Sequence, residues 1–218
     1  MTAAALSLYR RVPAAVRAHV RVRWATCPFP AVAAEVPATG RVLEVGCGYG
    51  LFSAYLALAG RQVTGVDVDA GKIAHAQRAG AEARARGAAC EFAVAASGQV
   101  PSGPWDAVVI VDVLYLLDAG GQRALVGACA GQLSEDGGGV LVVKEMATSP
   151  RWKAAWNRLQ ETLSVKVLRI TAGHDLTFVE PAVVGGWMEA AGLAVRHERV
   201  DRGYPHPHHL VVGRRERR

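Results

Sequence analysis

The chain has 218 residues, of which 51% are hydrophobic and 20% are charged, and its formal net charge is +6. This composition is typical of a folded protein and excludes a largely disordered one. The length allows one domain with a substantial core and is too short for two full domains. The longest apolar stretch, residues 107–117, contains Asp112 and is too short to span a bilayer.

The cysteines and arginines bear on the cellular location and the partners of the protein. The four cysteines form no Cys-x-x-Cys pair, which argues against a zinc ribbon or a disulfide framework. Free thiols, and an N-terminus without the features of a signal peptide, predict a cytoplasmic location. Arginines cluster at both ends of the chain, at residues 10–23 and 214–218. They favour an anionic partner or serve solubility alone, and the sequence leaves both interpretations open.

Residues 1–40 are predicted to form a helical cap. Apolar residues recur at three- and four-residue steps, which indicates one stripe of a helix or helix pair, and the stripe comprises Leu6, Tyr9, Val16, Val20 and Trp24. Pro13 is expected to break the helix or start a turn. The segment Cys27-Pro28-Phe29-Pro30 is predicted to end the helical region, because a proline disfavours helical geometry in the residue before it.

From residue 41 the pattern alternates between short apolar runs and helical stretches. The predicted strands are residues 42–45, 62–66, 91–95, 105–111 and 139–143. The predicted helices between them are residues 51–59, 70–86 and 122–133. Strands that are apolar on both sides and alternate with helices predict a parallel sheet covered on both faces. Further helices are predicted at residues 152–167 and 181–191, followed by strands at residues 193–200 and 209–214.

A glycine-rich segment lies where the first strand turns into the first helix of the core. It contains Glu44, Gly46, Gly48 and Gly50, and glycines at this place allow a ligand to approach the main chain closely. A dinucleotide fingerprint would carry its third glycine at position 51, where this chain has Leu51. The form acid-x-Gly-x-Gly-x-Gly resembles motif I of the class I (Rossmann-like) S-adenosylmethionine-dependent methyltransferases.

A second motif follows about twenty residues later. The run Val63-Thr64-Gly65-Val66-Asp67-Val68-Asp69 closely resembles the second motif of that family. A carboxylate at the end of this strand can accept hydrogen bonds from both ribose hydroxyls. The alternative role for Asp67 is a helix N-cap, but Asp69 is better placed for that role and leaves Asp67 for the ligand.

The resemblance implies S-adenosylmethionine as the cofactor and a set of residues that bind it. Gly46 and Gly48, with Cys47 between them, would line its methionine end, which Glu44 would orient. Asp67 would hold the ribose, and Val68 would lie against adenine. The other expected contacts are those of Ala96, Ser97 and Asp112. Ala96 departs from the family, because many relatives carry an adenine-binding Asp there; the adenine contact then falls to the backbone or to Ser97.

The resemblance also implies the fold and the organisation of the chain. We expect an α/β, three-layer, doubly wound, mostly parallel seven-stranded sheet with a C-terminal antiparallel hairpin. Residues 1–218 would form a single methyltransferase domain with a helical cap (1–40), a cofactor-binding core (41–146), a substrate-side helical insertion (147–192) and a closing hairpin (193–218).

Methyl transfer needs a nucleophile held in line with the donor, and a hydroxyl nucleophile usually also needs a base. The candidate bases are Tyr115, Glu145 and His174, since Leu116 stands where many relatives carry a His. We expect a small or lipid-like acceptor, anionic or neutral, with oxygen as the nucleophilic atom. No nucleic-acid partner is expected. The basic N-terminal helix could touch a membrane, but closure of the cofactor pocket is the favoured role.

The sequence also allows a different interpretation of the histidine-rich turn and two competing functions. His206, His208 and His209 could suggest a metal site, but the adjacent prolines favour a stiff turn, and no metal is expected. A nicotinamide-dependent oxidoreductase, or a non-catalytic relative that binds the cofactor, would be the competing functions.

Overall fold

The computed structural model describes residues 1–135, 138–146 and 176–216. The helix predicted at residues 152–167, most of the predicted insertion (147–192) and the candidate base His174 lie outside the described residues.

The described residues form a seven-stranded sheet with strand order β3-β2-β1-β4-β5-β7-β6. The first five strands are β1 (Arg41–Val45), β2 (Gln62–Asp67), β3 (Cys90–Val94), β4 (Ala107–Val111) and β5 (Val140–Met146). They are parallel to one another, whereas β7 (His208–Arg214) runs antiparallel between β5 and β6 (Ala194–Arg199). The prediction of a mostly parallel sheet with a C-terminal antiparallel hairpin is confirmed.

Helices cover both faces of this sheet. The described helices are α1 (Thr2–Ser7), α2 (Ala14–Thr26), α3 (Phe29–Glu35), α4 (Leu51–Leu58), α5 (Ala70–Arg84), a 3-10 helix (Leu114–Leu116), α6 (Ala119–Gly131) and α7 (Pro181–Ala190). Alternate strand residues face two separate apolar clusters. Val42 and Val109 join the cluster under α1–α5, whereas Leu43 and Val108 join the cluster under α6 and α7. The sheet therefore has two buried faces, which explains the nearly continuous apolar sequence of β4.

The N-terminal cap contains one more helix than the proline pattern predicts. Cys27, the residue before Pro28, is extended (φ −111°, ψ 134°), so α2 does end there. However, α3 begins at Phe29, immediately after Pro28 and with Pro30 in its first turn. The prediction that this segment ends the helical region is wrong, because the first turn of a helix does not use the N–H groups that proline lacks.

Strand β5 is longer than the sequence pattern indicates. It continues to Met146, because Lys144 and Glu145 pair with Leu210 and His209 of β7. Charged residues therefore lie inside a central strand, where an apolar run alone would not place them. Among the helices that the structure describes, none has the length and apolar character needed to cross a membrane.

Candidate functional site

The glycine loop (residues 46–50) connects β1 to α4 and is fixed to the end of β2. The backbone N–H groups of Gly46 and Cys47 both donate to the carbonyl of Val66, at 2.8 and 2.9 Å. Gly48 has a φ of +53°, and a Cβ atom added there would meet no atom within 4 Å. The main chain at Gly48 is thus bare on the side where a side chain would project.

Asp67 stands at the end of β2, next to the glycine loop. Its Oδ2 accepts a hydrogen bond from the N–H of Gly48 at 2.8 Å, and its Oδ1 accepts one from Asp69 at 2.9 Å. Because a carboxylate oxygen has two lone pairs, each oxygen keeps one acceptor position for a ligand. Asp69 caps α5 by accepting the N–H of Lys72 at 3.0 Å, as predicted, so the two acids have separate positions.

Glu44 is buried at the end of β1, with 3% of its surface exposed. The hydroxyl of Ser53 in α4 donates a short hydrogen bond to its carboxylate. Burial raises the pKa of Glu44 to about 7, although the Ser53 hydrogen bond acts in the opposite direction. A desolvated carboxyl group beside the glycine loop is suited to a cationic ligand group, which would favour its ionised form.

These residues line a cavity of about 600 Å³. The volume lies within the range of small-molecule sites, roughly 300–1,000 Å³. The cavity is bounded by Glu44, Gly46, Cys47, Gly48, Asp67, Val68, Ala96, Ser97, Asp112 and Tyr115, with His19, Val20 and Arg23 from α2. The structure thus brings all of the predicted cofactor-binding residues to one cavity. The bare backbone at Gly48 and the free acceptor positions of Asp67 fit a nucleoside cofactor.

A buried charge cluster forms the cavity wall at the end of β4. Asp112 is 8% exposed, and its Oδ1 accepts a hydrogen bond from Lys144 Nζ at 2.5 Å. Arg23 Nη2 lies 2.6 Å from the other oxygen, Oδ2, and forms an ion pair with it. Burial alone would raise the pKa of Asp112, but the charges of Lys144 and Arg23 hold that pKa well below its ordinary value. Asp112 is therefore an ion-paired carboxylate.

Two of the three candidate bases are in the described part of the chain. Tyr115 lines the cavity and stacks on Phe178, with ring centroids 5.2 Å apart. Glu145 is 8% exposed and is absent from the residues that line the cavity; its Oε1 accepts the backbone N–H groups of Val113 and Leu114. The geometry thus brings Tyr115, and not the carboxyl group of Glu145, to the cavity wall.

The histidine-rich turn packs against the end of α2 through His208. His208 is 2% exposed, and its Nε2 lies 2.7 Å from the carbonyl oxygen of Thr26, at the end of α2. Burial is the main reason that its pKa falls to about 3, so the ring is neutral. Within residues 1–135, 138–146 and 176–216, no group of His, Cys, Asp or Glu side chains is arranged to hold a metal ion.

Arg23 and Lys144 are part of the site, yet sequence reasoning missed both. Arg23 continues the spacing of Val16 and Val20 at i, i+4 and i+7, so the periodicity that defines the buried stripe of α2 could have found it. No comparable signal identifies Lys144. Its partner Asp112 is 32 residues away in sequence, and only the pairing of β4 with β5 brings the two together.

The chain is similar in sequence to known methyltransferases. Residues 42–137 match a family model described as a methyltransferase domain. The ubiquinone biosynthesis O-methyltransferase of Xanthomonas axonopodis pv. citri is 32% identical over 162 residues, which are 72% of this chain and 64% of that relative. The chain therefore spans just under two thirds of that relative's length. The ribosomal RNA small subunit methyltransferase C of Chromohalobacter salexigens is 35% identical over 119 residues, 53% of this chain and 35% of the relative.

Solved structures share the fold. An O-methyltransferase family protein from Burkholderia thailandensis superposes with a TM-score of 0.69 at 21% identity, covering 91% of this chain and 57% of that protein. The magnesium protoporphyrin IX methyltransferase of Synechocystis PCC 6803, solved with bound SAH, has a TM-score of 0.67 at 20% identity, covering 96% of this chain and 92% of that one.

The parallel core, the glycine loop and the acid at the end of β2 define a Rossmann-like nucleoside-binding protein. With the match of residues 42–137 to a methyltransferase domain, the chain is similar to class I S-adenosylmethionine-dependent methyltransferases.

Proposed function

We propose that this protein transfers the methyl group of S-adenosylmethionine to an oxygen atom of a small or lipid-like acceptor. The observation that carries the proposal is the cavity, which has a glycine loop and Asp67 on one side and Tyr115 on the other. The O-methyltransferase names among the relatives support oxygen as the acceptor atom.

Each wall of the cavity would have a separate task. The free acceptor positions on Asp67 would receive the ribose hydroxyls, while Val68, Ala96 and Ser97 would surround the adenine. Glu44, in the ionised form that a cationic ligand group would favour, would orient the ammonium group of the methionine end, and Arg23 would orient its carboxylate. When bound, the cofactor supplies a methyl group activated by its positively charged sulfur.

Tyr115 is the residue that we propose to contact the acceptor. The residue lines the cavity and its ring stacks on Phe178, and in the proposed complex its hydroxyl would hydrogen-bond an acceptor oxygen. Such a contact would orient the oxygen and assist loss of its proton. The cap helix α2 lines the cavity with Val20 and Arg23 and would help to exclude water from the site.

A mutant pair tests the cofactor site. Asp67→Ala should weaken binding of S-adenosylhomocysteine, measured by titration calorimetry, by roughly 1.5–3 kcal/mol, because it removes hydrogen bonds to a charged group. Asp118→Ala is the matched control: it removes the acidic cap of α6, which costs about 1 kcal/mol of stability, and should leave the affinity near that of the unaltered protein, because Asp118 does not line the cavity. Equal affinities for both variants would contradict the placement of the ribose.

Methyl transfer itself is tested with a tritiated-methyl donor and fractionated cell metabolites as acceptors. Labelled products, identified by mass spectrometry as methyl ethers or methyl esters, would support oxygen as the acceptor atom. Labelling only at nitrogen or carbon would contradict it. Tight binding of S-adenosylhomocysteine with no labelled product in any fraction would instead favour the non-catalytic alternative.

A further inference from the structure

The turn that follows β4, residues 112–114 (the β4 turn), has an unusual backbone. Asp112 has a φ of +56°, a left-handed conformation that glycine adopts readily and that other residues adopt at a cost. Such a conformation persists only where the surrounding structure enforces it.

The neighbouring strand β5 contacts the β4 turn with two consecutive residues. From Lys144, Nζ binds the carboxylate of Asp112 at 2.5 Å, and the backbone carbonyl accepts the N–H of Asp112 at 2.9 Å. From Glu145, Oε1 accepts the next two N–H groups of the turn, those of Val113 at 3.2 Å and Leu114 at 3.0 Å. Three successive backbone N–H groups of the turn are thus satisfied by two residues of β5.

The β4 turn also determines the space available to the glycine loop. A Cβ atom added to Gly46 would lie 2.2 Å from Cγ2 of Val113, so the turn and the loop are in direct van der Waals contact. Tyr115 follows the turn immediately, within the 3-10 helix. A displacement of the β4 turn would therefore move both the loop that approaches the cofactor and the residue that we propose to contact the acceptor.

We propose that Lys144 and Glu145 are positioning residues that together hold the β4 turn against the glycine loop. In this role Glu145 acts as a hydrogen-bond acceptor and not as a base. The proposal rests on the proposed function, since it assigns these residues to the same site. It goes further by giving a role to a lysine that is completely buried and to a carboxyl group outside the cavity.

Three variants of Glu145 separate the two roles. Glu145→Gln keeps an oxygen that can accept both N–H groups, whereas Glu145→Met removes the acceptor. Glu145→Asp keeps a titratable carboxyl group but withdraws it by one methylene. If Glu145 positions the turn, the Gln variant should keep its activity, whereas the Met and Asp variants should lose activity. If Glu145 is a base, the Asp variant should be more active than the Gln variant. The Gln–Asp comparison remains decisive if the Met variant does not fold.

The first measurement is amide hydrogen exchange of Val113 and Leu114 in the ligand-free protein. We expect protection in the unaltered protein and in Glu145→Gln, and exchange at least about tenfold faster in Glu145→Met and Glu145→Asp, because a buried hydrogen-bond acceptor is lost. The matched control is Glu91→Met, at an exposed position of β3, which should leave both amides protected. Unchanged protection in all Glu145 variants would overturn the proposal.

The second measurement is binding of S-adenosylhomocysteine, followed by the transfer rate on an acceptor found in the tritium screen. Glu145→Gln should keep Kd and kcat/KM within about threefold of the unaltered protein, and Glu145→Met and Glu145→Asp should lose at least about tenfold in both. A Gln variant that binds normally but loses kcat as Met does would identify a base and overturn the proposal. If the unaltered protein binds no S-adenosylhomocysteine, the proposed function fails, while hydrogen exchange still decides the positioning role.

Discussion

The glycine loop and the β4 turn meet at Gly46 and Val113, but the two walls of the cavity are built in different ways. The loop is held by backbone hydrogen bonds to the end of β2 and by the absence of side chains. The turn is held by the ionisable side chains of Lys144 and Glu145, which are buried below it. One wall thus depends on local chain geometry, and the other depends on charge compensation between distant elements. Substitutions should therefore affect the two walls differently.

The largest effect is expected in the charged wall. Asp112→Ala should lower the free energy of unfolding by about 3–5 kcal/mol, because it leaves the fully buried Lys144 without its carboxylate. The measurement is denaturant unfolding followed by circular dichroism. Combining Asp112→Ala with Lys144→Met should recover a large part of the loss. A single variant as stable as the unaltered protein would show that charge compensation does not hold this wall.

A second prediction concerns pH and the buried acid below the glycine loop. Burial raises the pKa of Glu44 to about 7, so its neutral form is the one that the folded state favours. The stability that this provides is complete below the unfolded value, about 4.5, and is lost as the pH rises through about 7. Relative to Glu44→Gln, the unaltered protein should lose roughly 1–3 kcal/mol of unfolding free energy over this interval. Parallel stability curves for the two proteins would contradict the prediction.

The smallest effect on stability is expected in the glycine wall. Gly48→Ala and Gly87→Ala both place a Cβ atom in open space at a positive φ, +53° and +82°. Each should cost about 1–2 kcal/mol of stability through backbone strain. Only Gly48→Ala projects into the cavity, so only this variant should also weaken binding of S-adenosylhomocysteine in calorimetry. Similar affinities in the two variants would show that the bare backbone at Gly48 does not face the cofactor.

The same contrast explains what could be predicted from sequence. Gly46, Gly48 and Asp67 lie within about twenty residues, and a strand, a turn and a helix of ordinary length place them together. The alternation of strands and helices likewise predicted the parallel core, whereas the C-terminal antiparallel hairpin was implied by the family resemblance. The glycine loop, Asp67 and the parallel core depend on local spacing, which one sequence displays directly.

What could not be predicted depends on tertiary pairing. Arg23 and Lys144 reach Asp112 from a helix and a strand that are 89 residues before and 32 residues after it. The carboxyl group of Glu145 was expected beyond the end of β5, but pairing with β7 extends that strand and directs the group to the β4 turn. Likewise, α2 ends before Pro28 and α3 begins directly after it. The proline pattern predicts the end of the first helix but not the start of the second.

The place of β7 in the sheet has a consequence for the order of folding. In the described chain β7 follows all other strands, yet it occupies the gap between β5 and β6. During synthesis, β5 therefore emerges with one edge lacking its neighbour until residues 208–214 are made, and an open strand edge invites pairing with other chains. A nascent chain stalled before residue 208 should consequently be prone to aggregation, and release of the last strand would complete the sheet in one step.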